Sequence, residues 1–257
     1  AALIIAPENH GTLTILSAFA EKSGVTLLGS NATGSAAASD KWHCYETFVK
    51  AGVPTPETWR TNSRKAAGIA KKAGFPLVIK PVDGAGSEGV SLISDHSTLE
   101  WAANAHMFRK KNFLLQRYLD GGHYSVSILA SETDAVPLSL NEQSVHIGTP
   151  FVYKGGAILP GQGWKHPAMV IARHVVSLIP GLKGYVGVDM VLAEGKWYVI
   201  EINPRLTTAY VGLRQAININ LGEAIWLACT ENKLPKDVKL TKKIVFHKEN
   251  LIGIRNP

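Results

Sequence analysis

Residues 187–205 read GVDMVLAEGKWYVIEINPR, from Gly187 to Arg205. Two apolar runs flank Glu194 and Gly195, which is the pattern of two strands joined by a tight turn. Side chains two apart on a strand share a face. Glu201 and Asn203 therefore point one way, and Ile200 and Ile202 are expected to point into the core. Asp189, on the partner strand, adds a second carboxylate. Three oxygen donors suit Mg²⁺, a hard cation that shares its shell with phosphates. Arg205, just beyond, is able to meet an anion through two parallel N–H bonds. The plainer alternative is a solvated salt-bridge cluster at a strand end. Apolar flanks on both strands argue against it.

Two further segments gain meaning from this hairpin. In FPLVIKPV followed by DGAGSEG and VSLI, Lys80 leaves a buried strand beside a loop of small residues, Gly86, Ser87, Glu88 and Gly89 among them. An ammonium group and a run of backbone N–H groups are able to surround phosphate oxygens. Alone, the same pattern reads as a snorkelling lysine next to an ordinary turn. No GK[ST] ends the loop, so it is not a Walker motif. The strand and loop are expected to form a hairpin with a mobile tip. In LLQRYLDGGHYSV an edge strand and a turn offer an apolar slot with backbone donors, which suits adenine.

The rest of the chain sets the class. The 257 residues, 46% of them hydrophobic, are enough to bury a sizeable core. ALIIA and VTLLGS read as strands around an amphipathic helix, a fragment of an α/β layer. Asp40 caps a helix over 41–50, and SRKAAGIAKKAG is a second helix with a glycine stop. Further helices are expected over 97–110, 167–178 and 221–230, and further strands over HYSVSILAS and AVPLSL. The sum is a mixed α+β protein with antiparallel sheet.

Composition excludes several classes. No run reaches the roughly 18 to 20 apolar residues of a membrane span, and the opening stretch breaks at Pro7, short for a signal sequence. The expected location is cytoplasmic. Cys44 and Cys229 lack metal-ligand spacing and read as structural thiols. Of the net charge of +7, most lies in Lys233–Arg255, with seven basic residues against two acidic. No aromatic ladder interleaves those lysines, so nucleic acid is not the expected partner.

Taken in order, DK at Asp40 and Lys41, VIKP, GAGSEGV, QRYLDGGHYSV, GVDMVL and EINPR resemble the ATP-grasp ligases, from about Ser39 to Leu227. The resemblance implies an ATP-grasp fold: two α+β subdomains clamping ATP (41–115 with the glycine loop, 116–257 with the Mg²⁺ site), preceded by a reduced N-terminal α/β segment, 1–40. It implies Lys41 and Lys80 on the α and β phosphates, loop residues Gly86 to Gly89 closing over the nucleotide, and Gln116, Arg117, Tyr118 and Leu119 at the adenine hinge. Asp189, Glu201 and Asn203 would hold Mg²⁺, with Mn²⁺ as a substitute, and Arg205 would stabilise the transferring phosphoryl group. His123 stands at the ribose position, where the family commonly has Glu.

Less general segments, including IIAPENHGTL, LSLNEQ and YKGGAILP, are similar to ATP-grasp proteins of the tyramine–glutamate ligase type, which serve methanofuran-type cofactors. That similarity implies activation of a carboxylate by ATP to an acyl phosphate and attack by an amine, with small-molecule amine and amino-acid partners. Candidate substrate residues are Asn141, Glu142, Gln143, Thr207, Thr208 and Arg214, with Tyr153 and Tyr210 as walls for a phenol. Alternatives are a ligase for a different amino-acid pair and an ATP-binding regulatory module without activity. A homodimer is one admissible assembly.

Overall fold

The computed structural model describes residues 1–161, 163 and 166–249; Arg255 of the basic stretch lies outside them. Two antiparallel sheets face each other across a cleft, and each owes its shape to period-two burial.

The smaller sheet has four strands in the order β1-β4-β2-β3: β1 (Thr58–Thr61), β2 (Leu77–Pro81), β3 (Ser91–Ile93) and β4 (Phe113–Arg117). Leu77, Ile79, Ile93, Phe113 and Leu115 pack under α4 (Ser63–Ala73) and α5 (His96–Ala103). The residues between them, Val78, Lys80 and Gln116, consequently face the cleft. The expected hairpin of VIKP and VSLI is present, with Leu77 opposite Ile93. The helix expected over 97–110 ends at Ala103, followed by turns.

The larger sheet runs β10-β7-β6-β5-β8-β9. Its strands are β5 (Gly122–Ala130), β6 (Ala135–His146), β7 (Val152–Leu159), β8 (Gly184–Ala193), β9 (Lys196–Asn203) and β10 (Ile244–His247). On one face Val126, Ile128, Val188 and Ile202 form a core with α6 (Pro167–Ser177), α2 (Ala32–Ser39) and α3 (Lys41–Lys50). On the other, α7 (Ala209–Ala216) and α8 (Leu221–Thr230) cover Leu129, Ile158 and Tyr185, leaving the rest of that face to the cleft.

Asp40 accepts from Trp42 N and His43 N and so caps α3 as its position predicts. That helix buries Cys44 and Phe48 against the larger sheet, so packing does not follow the expected boundary at residue 41. The smaller sheet keeps its own core from Trp59 onward.

The N-terminal strands differ from expectation. A parallel bridge between Ala2 and Leu27 is what links ALIIA to VTLLGS around α1 (Thr12–Lys22). Leu3 and Ile5 are 41% and 71% exposed, because no element covers their side of the chain among the described residues. Five elements have no expectation behind them: α2, β1, β7, α7 and β10. α2 is ATGSAAAS, whose small residues carry no amphipathic signal. A Cβ at Gly34 would run into the Gly181 carbonyl, so that helix packs backbone against backbone. In β7, Gly155 has a φ of 140° where β10 passes against it.

A candidate active site between the sheets

β8 and β9 build the floor of the cleft. Asp189 lies opposite Glu201, and Gly187 opposite Asn203, but the next pair up is Met190 with Val199. Ile200 is thus the extra residue of a β-bulge. It lines the cleft beside Glu201, while Val199 and Ile202 both go into the core. The expected inward Ile200 is corrected by that one-residue insertion, which shifts the alternation of the strand.

Asp189, Glu201 and Asn203 come together on this pair of strands. Asp189 accepts from Asn203 Nδ2 (3.0 Å) and Gln143 Nε2 (2.9 Å), and Glu201 lies 3.4 Å from Lys41 Nζ. Burial, and then the charge of Glu201, push the Asp189 carboxyl up to about 7. Burial raises Glu201 as well, but Lys41 and Lys80 outweigh it and hold that carboxyl below the usual range. Two facing carboxylates and an amide oxygen, partly desolvated, are hard oxygen donors that fit a divalent cation. Among the described residues no cluster of three or more His, Cys, Asp and Glu exists, and the residue beside the two carboxylates here is Asn203.

Lys80 enters from the smaller sheet. Only 3% exposed, its ammonium donates to Gln116 Oε1 (3.0 Å). Gln116 in turn donates to Thr58 Oγ1 (2.8 Å). Burial lowers Lys80 to about 8 against the opposing pull of Glu201. Lys41 donates to the Gly84 carbonyl at 2.7 Å, tying the glycine loop to the carboxylates. Within that loop Ser87 takes a φ of 65° between Gly86 and Gly89, both also positive, so the chain turns left-handed there. The loop is anchored at both ends by the N-terminal segment, through Asn9 Nδ2 to Glu88 (2.7 Å) and His10 N to Asp83 (2.9 Å).

At the hinge the expected edge strand is an interior one, since β4 lies between β1 and β2, and Gln116 and Arg117, though both line the cleft, have their side chains paired elsewhere. Gln116 is committed to Lys80 and Thr58, and Arg117 turns outward to Glu57 (3.0 Å) and the Ala73 carbonyl (3.1 Å). Tyr118 and Leu119 line the cleft. So does His123, whose buried Nε2 has no hydrogen-bond partner among the described residues, and burial depresses its basicity.

Of the substrate candidates, Thr207, Thr208, Gln143 and Tyr153 line the same cleft. Four others do not. Asn141 is 1% exposed and bonded to Ser125, Ser127 and Ser139, a network that continues through Tyr185 to Thr207. Glu142 alternates to the opposite face of β6 and is exposed. Arg214 is exposed on α7, whose buried side is Ala209, Gly212, Leu213 and Ala216. Tyr210 packs edge-on against Tyr185, outside the cleft lining.

Sequence reasoning missed Phe151, Val145 and Glu8. Phe151 N bonds to Val90 O (2.8 Å), which brings the β6–β7 turn against the glycine-loop hairpin. Glu8 grips Arg205 with both oxygens, at 2.8 and 2.9 Å. Its partner lies 197 positions away, beyond any local pattern. The PEN turn at residues 7–9 was its only trace.

Residues 38–209 match the ATP-grasp domain. The chain is 33% identical over 213 residues to a tyramine–L-glutamate ligase of Methanocaldococcus fervens, covering 83% of this chain and 61% of the relative. It is 30% identical over 238 residues to that of Methanocaldococcus jannaschii, covering 93% and 65%. It thus spans under two thirds of either relative. Among solved structures, a putative ATP-grasp superfamily protein from Archaeoglobus fulgidus superposes with a TM-score of 0.69 at 28% identity, over 94% of this chain and 67% of that one. A biotin carboxylase from Campylobacter jejuni shares the fold, with a TM-score of 0.74 at 17% identity, over 88% and 54%.

Proposed function

Because this chain belongs to the ATP-grasp family, we propose that it is an ATP-dependent carboxylate–amine ligase joining glutamate to tyramine or a similar amine, as a step toward a methanofuran-type cofactor. The observation that carries this reading is the convergence, in one cleft, of Asp189, Glu201 and Asn203 from one sheet with Lys80 from the other, and of Lys41 and Arg205 between them. Similarity to the two tyramine–L-glutamate ligases supports the substrate pair.

In this reading Lys41 and Lys80 hold phosphates, and the amides from Gly86 to Gly89 cover them. The main chain at Arg117 to Leu119 receives adenine, and the unpaired His123 Nε2 takes a ribose hydroxyl. Asp189, Glu201 and Asn203 hold Mg²⁺, which would neutralise phosphate charge when bound. Arg205 steadies the phosphoryl group and the acyl phosphate formed on the substrate carboxylate. No side chain acts as a nucleophile, so rate comes from positioning and charge. Thr207, Thr208 and Gln143 are the polar contacts on the acceptor side. Tyr153, Phe151 and Val145 supply an apolar wall that suits an aryl amine.

An ADP-release assay over amine and amino-acid pairs, tyramine with glutamate first, tests the proposal. Release is expected to require both substrates. Should glutamate never support turnover with any of the amines, the substrate assignment falls and the ATP-grasp membership stands.

The lowered Lys80 makes a second prediction. Its ammonium loses its proton near pH 8 in the free protein, and a neutral amine does not attract phosphate. ATP binding should therefore take up a proton above that pH and weaken about tenfold per unit. Titration calorimetry from pH 7 to 10 reads this directly. Lys80→Arg, charged throughout, should flatten the profile; a flat profile in the unaltered protein would remove Lys80 from the phosphates.

A further inference from the structure

Glu8 precedes the matched ATP-grasp domain, yet it is 2% exposed and sits against the site. Its Oε1 accepts from Arg205 Nε at 2.8 Å and its Oε2 from a terminal guanidinium nitrogen at 2.9 Å. The other terminal nitrogen donates to the Leu206 carbonyl at 3.1 Å. A guanidinium carries five N–H groups in a rigid plane. Three are used, which leaves one on each terminal nitrogen. Arg205 lines the cleft with its side chain 16% exposed.

We propose that Glu8 is a positioning residue for phosphoryl transfer: by clamping one edge of the Arg205 guanidinium it fixes the remaining pair of N–H groups toward the transferring group. The reason is geometric. An arginine side chain has four rotatable torsions and many rotamers, and a bidentate carboxylate fixes both the position and the plane of its head group. Burial of the pair keeps water from competing with the clamp. The neighbouring residues strengthen the placement, since Asn9 and His10 bind Glu88 and Asp83 of the glycine loop. One short segment thus registers the loop and Arg205 together.

The inference rests on the ligase reading given above, and its test separates the two. E8Q, R205A and the E8Q/R205A pair are compared by ADP release, by MgADP affinity, and by retention of ADP with aluminium fluoride, a mimic of the transferring phosphoryl group. E8Q is expected to lower kcat by about 10²-fold, the scale of a misplaced catalytic group, with KM for ATP and MgADP affinity held within about threefold. In the R205A background the same change should cost under threefold, because residues acting as one unit are not additive. Should E8Q not fold, E8D, which retracts the carboxylate by one methylene, is expected to lose about tenfold in kcat. A kcat within threefold of wild type in E8Q, or in E8D where that variant is needed, overturns the proposal. So does an equal loss from E8Q with and without Arg205. If tyramine and glutamate do not turn over, the substrate reading fails, and aluminium fluoride retention still decides: ADP held by wild type and released by E8Q supports the clamp. A wild-type chain that retains none overturns it.

Discussion

Glu201→Gln is expected to cut ADP release by about 10²- to 10³-fold, the loss typical of removing one charge-stabilising group, in a protein that stays folded. The substitution keeps shape and removes one charge. Lys41 loses the anion 3.4 Å from its ammonium, and Asp189 loses the like charge that, after burial, does most to raise it. Of the oxygen set, a single carboxylate remains. The Mg²⁺ concentration for half-maximal turnover should therefore rise along with the fall in rate. Binding of ATP without metal should hold or tighten, since a negative charge facing the phosphates is gone. A variant with an unchanged metal requirement would show that Glu201 is no ligand.

Arg205→Ala is expected to lose a similar factor in turnover and, in addition, stability. The motif alone suggests an arginine free to serve an anion, whose removal leaves the fold untouched. Its pairing with Glu8 changes that expectation. Alanine at 205 strands a carboxylate that is 2% exposed, and breaking one side of a buried ion pair costs about 3–5 kcal/mol. Urea unfolding should show the loss. Glu8→Gln made on top of Arg205→Ala should restore part of that stability while leaving turnover low, because the stranded charge is gone and the missing guanidinium is not. Full stability in the single variant would mean that water reaches Glu8, and the clamp would lose its basis.

How far the chain is legible from residue types depends on how local each signal is. Asp40 caps α3 through N–H groups two and three residues away, so the dipeptide and its apolar periodicity sufficed. The β8–β9 hairpin was readable for the same reason. Elements without a periodic face escaped: α2, built from small residues packed backbone to backbone, and β10, four residues within a lysine-rich stretch. The substrate residues failed in another way. Asn141 and Glu142 are polar and near the motifs, but only the pairing of β6 with β5 and β7 decides which face of the sheet each occupies and what covers it. Arg214 faces solvent because the buried side of α7 is set by Leu213 against the sheet.

By itself the amino-acid sequence determined the ATP-grasp order of motifs and the antiparallel α+β class, and it singled out Lys41, Lys80, Asp189, Glu201, Asn203 and Arg205, which line one cleft. Those properties live in short segments, where alternation, caps and turns act over a few residues. Only the tertiary structure decided the bulge that sends Ile200 to the cleft, the commitment of Gln116 to Lys80, and the grip of Glu8 on Arg205 across 197 positions. Each of these depends on which strands and segments come together, and that is governed by the packing of whole sheets, whose free energy no local window contains.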